Sequence, residues 1–189
     1  LKQVIENYKR LELNLEFLTN ENQSLKKVLN AENISNVSNL VLSKVLVDRN
    51  SPFLKSILIN KGSRAGIKKG MPVTQNEYLV GRVVETNYLS SRVLLLGDLN
   101  SRIPVTLGTD GAQAILAGSG SHHTRLEYLP EGYEIQEGVS VFASGKDGVF
   151  FPGTPIGLTT DEGDVKLFVD PNQLSFVTVV LINQTKDKL

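Results

Sequence analysis

Leu1-Lys-Gln-Val4-Ile-Glu-Asn-Tyr8-Lys-Arg-Leu11-Glu-Leu-Asn-Leu15-Glu-Phe-Leu18-Thr-Asn-Glu-Asn22-Gln-Ser-Leu25-Lys-Lys-Val-Leu29 carries apolar residues at alternating steps of three and four. That is a heptad stripe, with a positions on Leu1, Tyr8, Leu15, Asn22 and Leu29 and d positions on Val4, Leu11, Leu18 and Leu25. Eight of these nine positions are apolar, against four of the other twenty: Ile5, Leu13, Phe17 and Val28. No Gly or Pro occurs before Pro52. The pattern predicts a coiled-coil helix, about 43 Å long over 29 residues. One such helix alone leaves its stripe wet, so the stretch implies a partner, most simply a second copy.

Asn22 is the exception on the seam. A buried amide at an a position weakens a coil but pairs with its twin in a parallel, in-register, two-stranded one; the plainer alternative is that the coil frays there. Leu13 and Phe17 fall outside the seam, four residues apart, either as stray surface apolars or as a stripe for a further partner. The chain opens in mid-stripe, which leads to the expectation that the helix continues upstream.

Elsewhere the period changes. The Asn- and Ser-rich run 30–39 competes with helix and reads as a hinge. From there on, short β-branched runs recur between Gly, Pro, Asn and Asp: 41–47, 53–59, 78–84, 92–96, 103–107, 114–117, 125–129, 139–142, 155–159, 165–169 and 174–182. That spacing predicts an all-β barrel or sandwich. An internal echo, Ile67-Lys-Lys-Gly70-Met-Pro-Val73 against Ile135-Gln-Glu-Gly138-Val-Ser-Val141, divides the β part into two related units. The predicted fold is mainly β: a coiled-coil stalk at 1–36, then two small antiparallel β-barrels. The first barrel takes 37–110 with 168–183, the second takes 111–167, and 184–189 forms a mobile tail. The last run, nearly unbroken in apolar residues from Phe176 to Ile182, is expected to be buried on both faces or centrally paired, and to return to the first barrel. Gly62, Gly66, Gly70, Gly81, Gly138, Gly145, Gly153 and Gly157 are the expected turn and bulge positions.

Lys plus Arg equals Asp plus Glu at twenty each, which argues against a nucleic-acid binder. The absence of cysteine excludes disulfides, thiolate metal sites and thiol catalysis. A two-barrel β protein invites comparison with chymotrypsin-like hydrolases. Ser144 is a candidate nucleophile, His122 and His123 are the two histidines, and Asp110 and Asp147 are candidate acids. Histidines in a Gly-Ser loop are poorly placed to act as an oriented base, and without Cys or a spaced carboxylate they make no metal set. Asp161-Glu-Gly-Asp164 lacks the spacing of a calcium loop and reads as a hairpin turn. No cofactor is expected. One charge pattern stands out: Lys61, Arg64, Lys68 and Lys69 in the first echo loop, Glu127, Glu131, Glu134 and Glu137 in the second. These are candidate assembly charges between neighbouring molecules, although exposed pairs are individually weak.

At its glycines the sequence resembles the MreC family of rod-shape-determining proteins. The resemblance lies in Asn60-Lys-Gly-Ser-Arg-Ala-Gly-Ile-Lys-Lys-Gly-Met-Pro-Val73, Leu79-Val-Gly-Arg-Val83, Ser91-Arg-Val-Leu-Leu-Leu-Gly-Asp98, Tyr128-Leu-Pro130 and Ala143-Ser-Gly-Lys-Asp-Gly-Val-Phe-Phe-Pro-Gly-Thr-Pro-Ile-Gly157. Glu77-Tyr78 departs from it, standing where the family commonly turns on Gly, and His122-His123 lengthens a variable loop. The resemblance implies a non-catalytic scaffold outside the bacterial membrane, held there by an upstream transmembrane helix. It implies self-association, and partners in MreD, MreB and a penicillin-binding transpeptidase of lateral wall synthesis. The competing readings are a hydrolase built on Ser144 and an adhesin or secretion-type stalk.

Overall fold

The structure, a computed structural model, describes residues 2–28, 39–46, 55–120 and 124–182. Leu1, Leu29, the hinge segment before 39, His122, His123 and the tail from 183 lie outside the described residues. The chain divides into two compact units, one ending at Val37 and one starting at Ser38.

In the first unit, α1 spans Lys2–Val28. It contains neither Gly nor Pro, and its side chains from Lys2 to Asn22 are all exposed. Thr19 Oγ1 donates to the Leu15 carbonyl at 2.7 Å, the local bond by which a mid-helix threonine satisfies its hydroxyl.

The second unit consists of two closed antiparallel barrels of six strands. The strands are β1 (Asn39–Leu46), β2 (Ser56–Ile59), β3 (Pro72–Gln75), β4 (Tyr78–Thr86), β5 (Ser91–Leu95), β6 (Arg102–Leu107), β7 (Ala112–Gly118), β8 (Thr124–Glu127), β9 (Ser140–Ala143), β10 (Pro155–Thr159), β11 (Asp164–Leu167) and β12 (Phe176–Leu181). Barrel 1 runs β1-β12-β3-β4-β5-β2 and barrel 2 runs β10-β11-β8-β7-β6-β9. Alternate residues fill each interior, as the two-residue strand period requires. Ile57, Ile59, Val73, Val83, Val93, Val177 and Val179 fill barrel 1. Ile103, Val105, Leu107, Leu116, Val141, Ile156 and Val165 fill barrel 2.

The two barrels share one plan. In barrel 2, β6 to β11 close in the cyclic order β6-β9-β10-β11-β8-β7. Barrel 1 reproduces it with β12, β1, β2, β3, β4 and β5 in those places. The strand that comes first in barrel 2 therefore comes last in the chain in barrel 1. The echo marks equivalent positions: Val73 pairs with Gly81 and Val141 pairs with Gly157. In both pairs the register shifts beside the glycine.

One expectation about the barrels is corrected. The second barrel begins at Arg102, not at 111. β6 pairs along its length with β7 and again with β9, so the Gly108–Gly111 turn is a hairpin within that barrel rather than a boundary. The terminal strand returns to barrel 1 and is paired on both sides, with β1 and with β3, as expected of a central strand. Its Val177 and Val179 fill the barrel, Val180 is buried, and Phe176 at the start of the strand is 51% exposed.

Leu79 of β4 and Leu96, just after β5, pack into the core of barrel 2, and the Tyr78 and Phe168 rings lie 4.8 Å apart. Between the barrels Asp98 is 2% exposed. Its carboxylate accepts the Lys55 N–H at 2.8 Å, the Asn100 N–H at 2.8 Å and the Asn100 side-chain amide at 3.0 Å. A buried carboxylate needs such donors, and here they tie the strand leaving barrel 1 to the entry of β2.

Candidate functional site

Of the hydrolase candidates, Ser144 and Asp147 are engaged in local turns, and His122 and His123 lie outside the described residues. Ser144 Oγ accepts the Lys146 N–H at 3.3 Å, the local bond of a serine turn, and Gly145 follows at φ 73°. Asp147 accepts the Val149 and Phe150 N–H groups at 3.0 and 3.3 Å, which commits its carboxylate to the next turn. The Lys146 ammonium bonds the Gln113 side chain. Asp164 pairs with Arg125 at 3.6 Å beside the 160–163 turn. Among the described residues no three His, Cys, Asp or Glu side chains are grouped to hold a metal ion.

The exposed surface has more to offer. On α1 the seam residues Val4, Tyr8, Leu11, Leu15 and Leu18 are uncovered, as are Leu13 and Phe17 on the opposite side. Asn22 is exposed, and Leu25 lies on the same helix.

The rim of barrel 1 is formed by the 60–71 and 87–90 loops, which join β2 to β3 and β4 to β5. Gly62 makes their close approach feasible. A Cβ there would meet the Asn87 carbonyl oxygen at 2.1 Å, while the Ser63 and Arg64 N–H groups donate to the Asn87 and Tyr88 carbonyls at 2.9 and 3.2 Å. Gly62 itself has φ −138°, so its requirement is space rather than a left-handed backbone. Gly66 and Gly70 sit at φ 82° and 93°. The locked loops project Tyr88 and Leu89, which are 65% and 60% exposed. Lys61 and Arg64 line a surface depression with them, and Lys68 and Lys69 follow on the same 60–71 loop, all four exposed. No ion pair involves these four among the described residues.

The equivalent rim of barrel 2 has the opposite sign. Its 128–139 loop carries Glu131, Glu134 and Glu137, all exposed, with Gly138 at φ 80°. The β6–β7 hairpin adds Asp110 and the β10–β11 hairpin adds Asp161 and Glu162. A cleft of about 710 Å³ lies here, lined in part by Thr109, Asp110, Tyr133 and Glu134. Glu127 drops out of the expected charge set. It pairs across the sheet with Arg102 at 3.4 Å, a neighbour that sequence spacing does not reveal. Asp110, Asp161 and Glu162 were missed as members of this rim because they belong to other hairpins. Pseudo-equivalence of the barrels was the signal that could have found them.

Gly81 and Gly157 stand at equivalent close approaches inside the walls: a Cβ on either would meet the Leu94 or Lys166 carbonyl oxygen at 2.0 or 2.2 Å. Gly145 and Gly153 hold the left-handed turns on either side of the 146–152 loop.

An uncovered helical seam, two fused barrels and oppositely charged rims are the features of a structural protein made for contacts. The chain belongs to the MreC family: residues 45–181 match the rod shape-determining protein MreC, barrel core. This is a shape-determining family and not a known enzyme family. The chain is 38% identical over 146 residues to a cell shape-determining protein MreC of Caulobacter vibrioides, covering 75% of this chain and 42% of that protein. It is 31% identical to the Escherichia coli protein of that name, covering 74% of this chain and 38% of the other. It thus spans less than half the length of these curated relatives.

Among solved structures, MreC from Listeria monocytogenes matches with a TM-score of 0.77 at 28% identity, covering 95% of this chain and 93% of that one. MreC from Pseudomonas aeruginosa gives 0.68 at 31%, covering 75% and 99%. Two more distant likenesses establish the fold alone. One is the periplasmic domain of a cell shape-determining filament MreC, at 20% identity and TM-score 0.64, covering 77% of this chain and 98% of that one. The other is the MreC of Helicobacter pylori solved in complex with the penicillin-binding protein PBP2, at 14% and 0.52, covering 75% and 87%.

Proposed function

We propose that this chain is a non-catalytic scaffold of the bacterial cell-elongation machinery. It works outside the membrane, held there by an upstream membrane helix. It pairs through α1 and presents its barrels to peptidoglycan synthases.

The bare seam carries this reading. Leu11, Leu15 and Leu18 are each more than half exposed, and burying such side chains is worth about 1.5–3 kcal/mol apiece. A second α1 covers the whole stripe at once, and Asn22 sets the two copies parallel and in register. Family membership supports the cell-shape role. The Helicobacter complex and the filament relative support a penicillin-binding transpeptidase and further copies of the chain as partners. MreD and MreB complete the proposed set by family likeness. The exposed Leu13–Phe17 pair supplies a second docking stripe on the same helix.

In-cell photocrosslinking from the barrel faces tests the reading. It should capture a penicillin-binding transpeptidase. Capture of outer-surface or secretion components with no wall-synthesis enzyme would overturn it in favour of a stalk of another kind.

A further inference from the structure

We propose that the basic rim of barrel 1 docks on an anionic lipid surface, with Tyr88 and Leu89 entering the headgroup region and Lys61, Arg64, Lys68 and Lys69 meeting lipid phosphates. This rests on the placement outside the membrane proposed above and adds a peripheral contact made by the barrel itself.

The rim has the chemistry of a membrane-interface segment. Tyr88 and Leu89 stand side by side in the 87–90 hairpin, 65% and 60% exposed. A ring with a polar end suits the boundary between headgroups and acyl chains, and an aliphatic neighbour deepens the contact. Lys61 and Arg64 line one depression with both residues, about 340 Å³ in volume, which gives a phosphate-bearing headgroup room beside two cations. Lys68 and Lys69 extend the charge along the 60–71 loop, and neither loop contains Asp or Glu. Cations around an apolar tip attract an anionic lipid surface and hold it once the tip is buried. A saccharide would account for Tyr88, by stacking, and for the cations, but it leaves Leu89 without a role. A lipid surface uses all of them.

The two loops are ordered before any docking. The Ser63 and Arg64 N–H groups donate to the Asn87 and Tyr88 carbonyls, and the Asn87 N–H donates to the Ser90 carbonyl at 2.8 Å. Such preorganisation lowers the entropy lost on binding. The rim is also free to reach a surface. Leu79, at the start of β4, packs into the core of barrel 2, whereas the far end of β4 leads into the 87–90 hairpin. The tip therefore lies at the end of barrel 1 away from barrel 2. Strand β1 begins at this same end: Asn39 pairs with Leu181, and a Cβ on Gly66 of the basic loop would meet the Leu181 side chain at 3.3 Å. A chain tethered upstream thus enters barrel 1 on its lipid-docking end. The acidic rim of barrel 2 is repelled by the same surface, which gives docking one orientation.

The chain contains no tryptophan, so a single one introduced into it reports its own surroundings. Tyr88→Trp, Thr109→Trp and Phe17→Trp place that reporter on the basic rim, on the acidic rim and on α1. With vesicles of phosphatidylglycerol and phosphatidylethanolamine in equal parts, the emission of the Tyr88→Trp chain should shift to the blue and be quenched by brominated acyl chains. The emission of the other two should stay unshifted, and vesicles of phosphatidylcholine alone should shift none. Adding Lys61→Glu/Arg64→Glu to the Tyr88→Trp chain should weaken partition at least about twentyfold, and salt should weaken it as well. Leu89→Asp, which keeps the four cations, should remove the quenching by brominated chains. A shift in Phe17→Trp without one in Tyr88→Trp would place lipid binding on α1 and overturn the proposal. A Tyr88→Trp chain that responds to a soluble polyuronate and not to vesicles would make the rim a saccharide site and overturn it too. An emission that responds to neither would also overturn it, while leaving the scaffold reading to its own crosslinking test.

Discussion

The carbonyl oxygen of Leu94 lies 2.0 Å from where a Cβ on Gly81 would stand. No side chain fits that gap, and the crowding atom is backbone, so β4 and β5 would have to part. Gly81→Ala is expected to destabilise the protein by more than about 3 kcal/mol. Gly111, at φ 70° with nothing within 4 Å of its Cβ position, is the control, and Gly111→Ala should lose only about 1 kcal/mol from the left-handed backbone. Urea unfolding of the two variants measures the difference. Equal losses would show that barrel 1 yields at Gly81.

The β3–β4 turn carries Asn76 at φ 48° and Glu77 at φ 71°. Two left-handed residues in a two-residue hairpin form the turn that favours Asn-Gly. Asn76 suits its place, whereas Glu77 holds a conformation disfavoured for a residue with a side chain. Glu77→Gly should stabilise the protein by about 0.5–1 kcal/mol, raising the melting temperature by roughly 2–4 °C. A lower melting temperature would mean that the Glu77 side chain contributes something beyond its backbone.

Asp98 satisfies donors on both sides of the strand that leaves barrel 1. Asp98→Ala leaves the Lys55 and Asn100 N–H groups without that acceptor in a buried setting, at a loss of about 3 kcal/mol. Limited proteolysis should then cut within 97–101, where the wild type resists. An uncut variant of unchanged stability would show that water replaces the carboxylate.

Replacing Leu15 and Leu18 with Lys puts two cations on the α1 seam. Ultracentrifugation at low concentration should show a monomer. The thermal transition of the barrels should be unchanged, because the helix and the barrels are separate compact units. A persistent dimer would place pairing in the barrels.

Much of this architecture was legible from local pattern. The stalk showed as a heptad stripe, and the β class showed as short β-branched runs. The echo found the repeated unit because Gly70 and Gly138 occupy the same left-handed turn, each donating its N–H to the strand beside it, to Val83 and Thr159. What failed was non-local. The Gly108–Gly111 hairpin looked like a domain edge because strand pairing is invisible in sequence, and β6 went to the wrong barrel. The run Phe176–Ile182 left open whether its strand was buried on both faces or centrally paired, because an apolar run does not name its neighbours; pairing with β1 and β3 decides it. Glu127 looked like a free charge because its partner, Arg102, is brought near only when β6 and β8 flank β7. The charge contrast between the rims was partly readable, but its full membership depends on three separate loops meeting at one end of a barrel.

The position of β12 has a consequence in time. Barrel 2 uses consecutive strands and has all its parts once residue 167 has been made. Barrel 1 must wait for residues 176–181, although most of its wall is made earlier. Until then β1 and β3 face each other across a missing strand, with ladder groups unpaired. The half of the unit that begins first is completed last. During that interval the gap accepts any strand of suitable pattern, including the β12 of a neighbouring chain, so strand exchange between copies is the characteristic folding error of this topology.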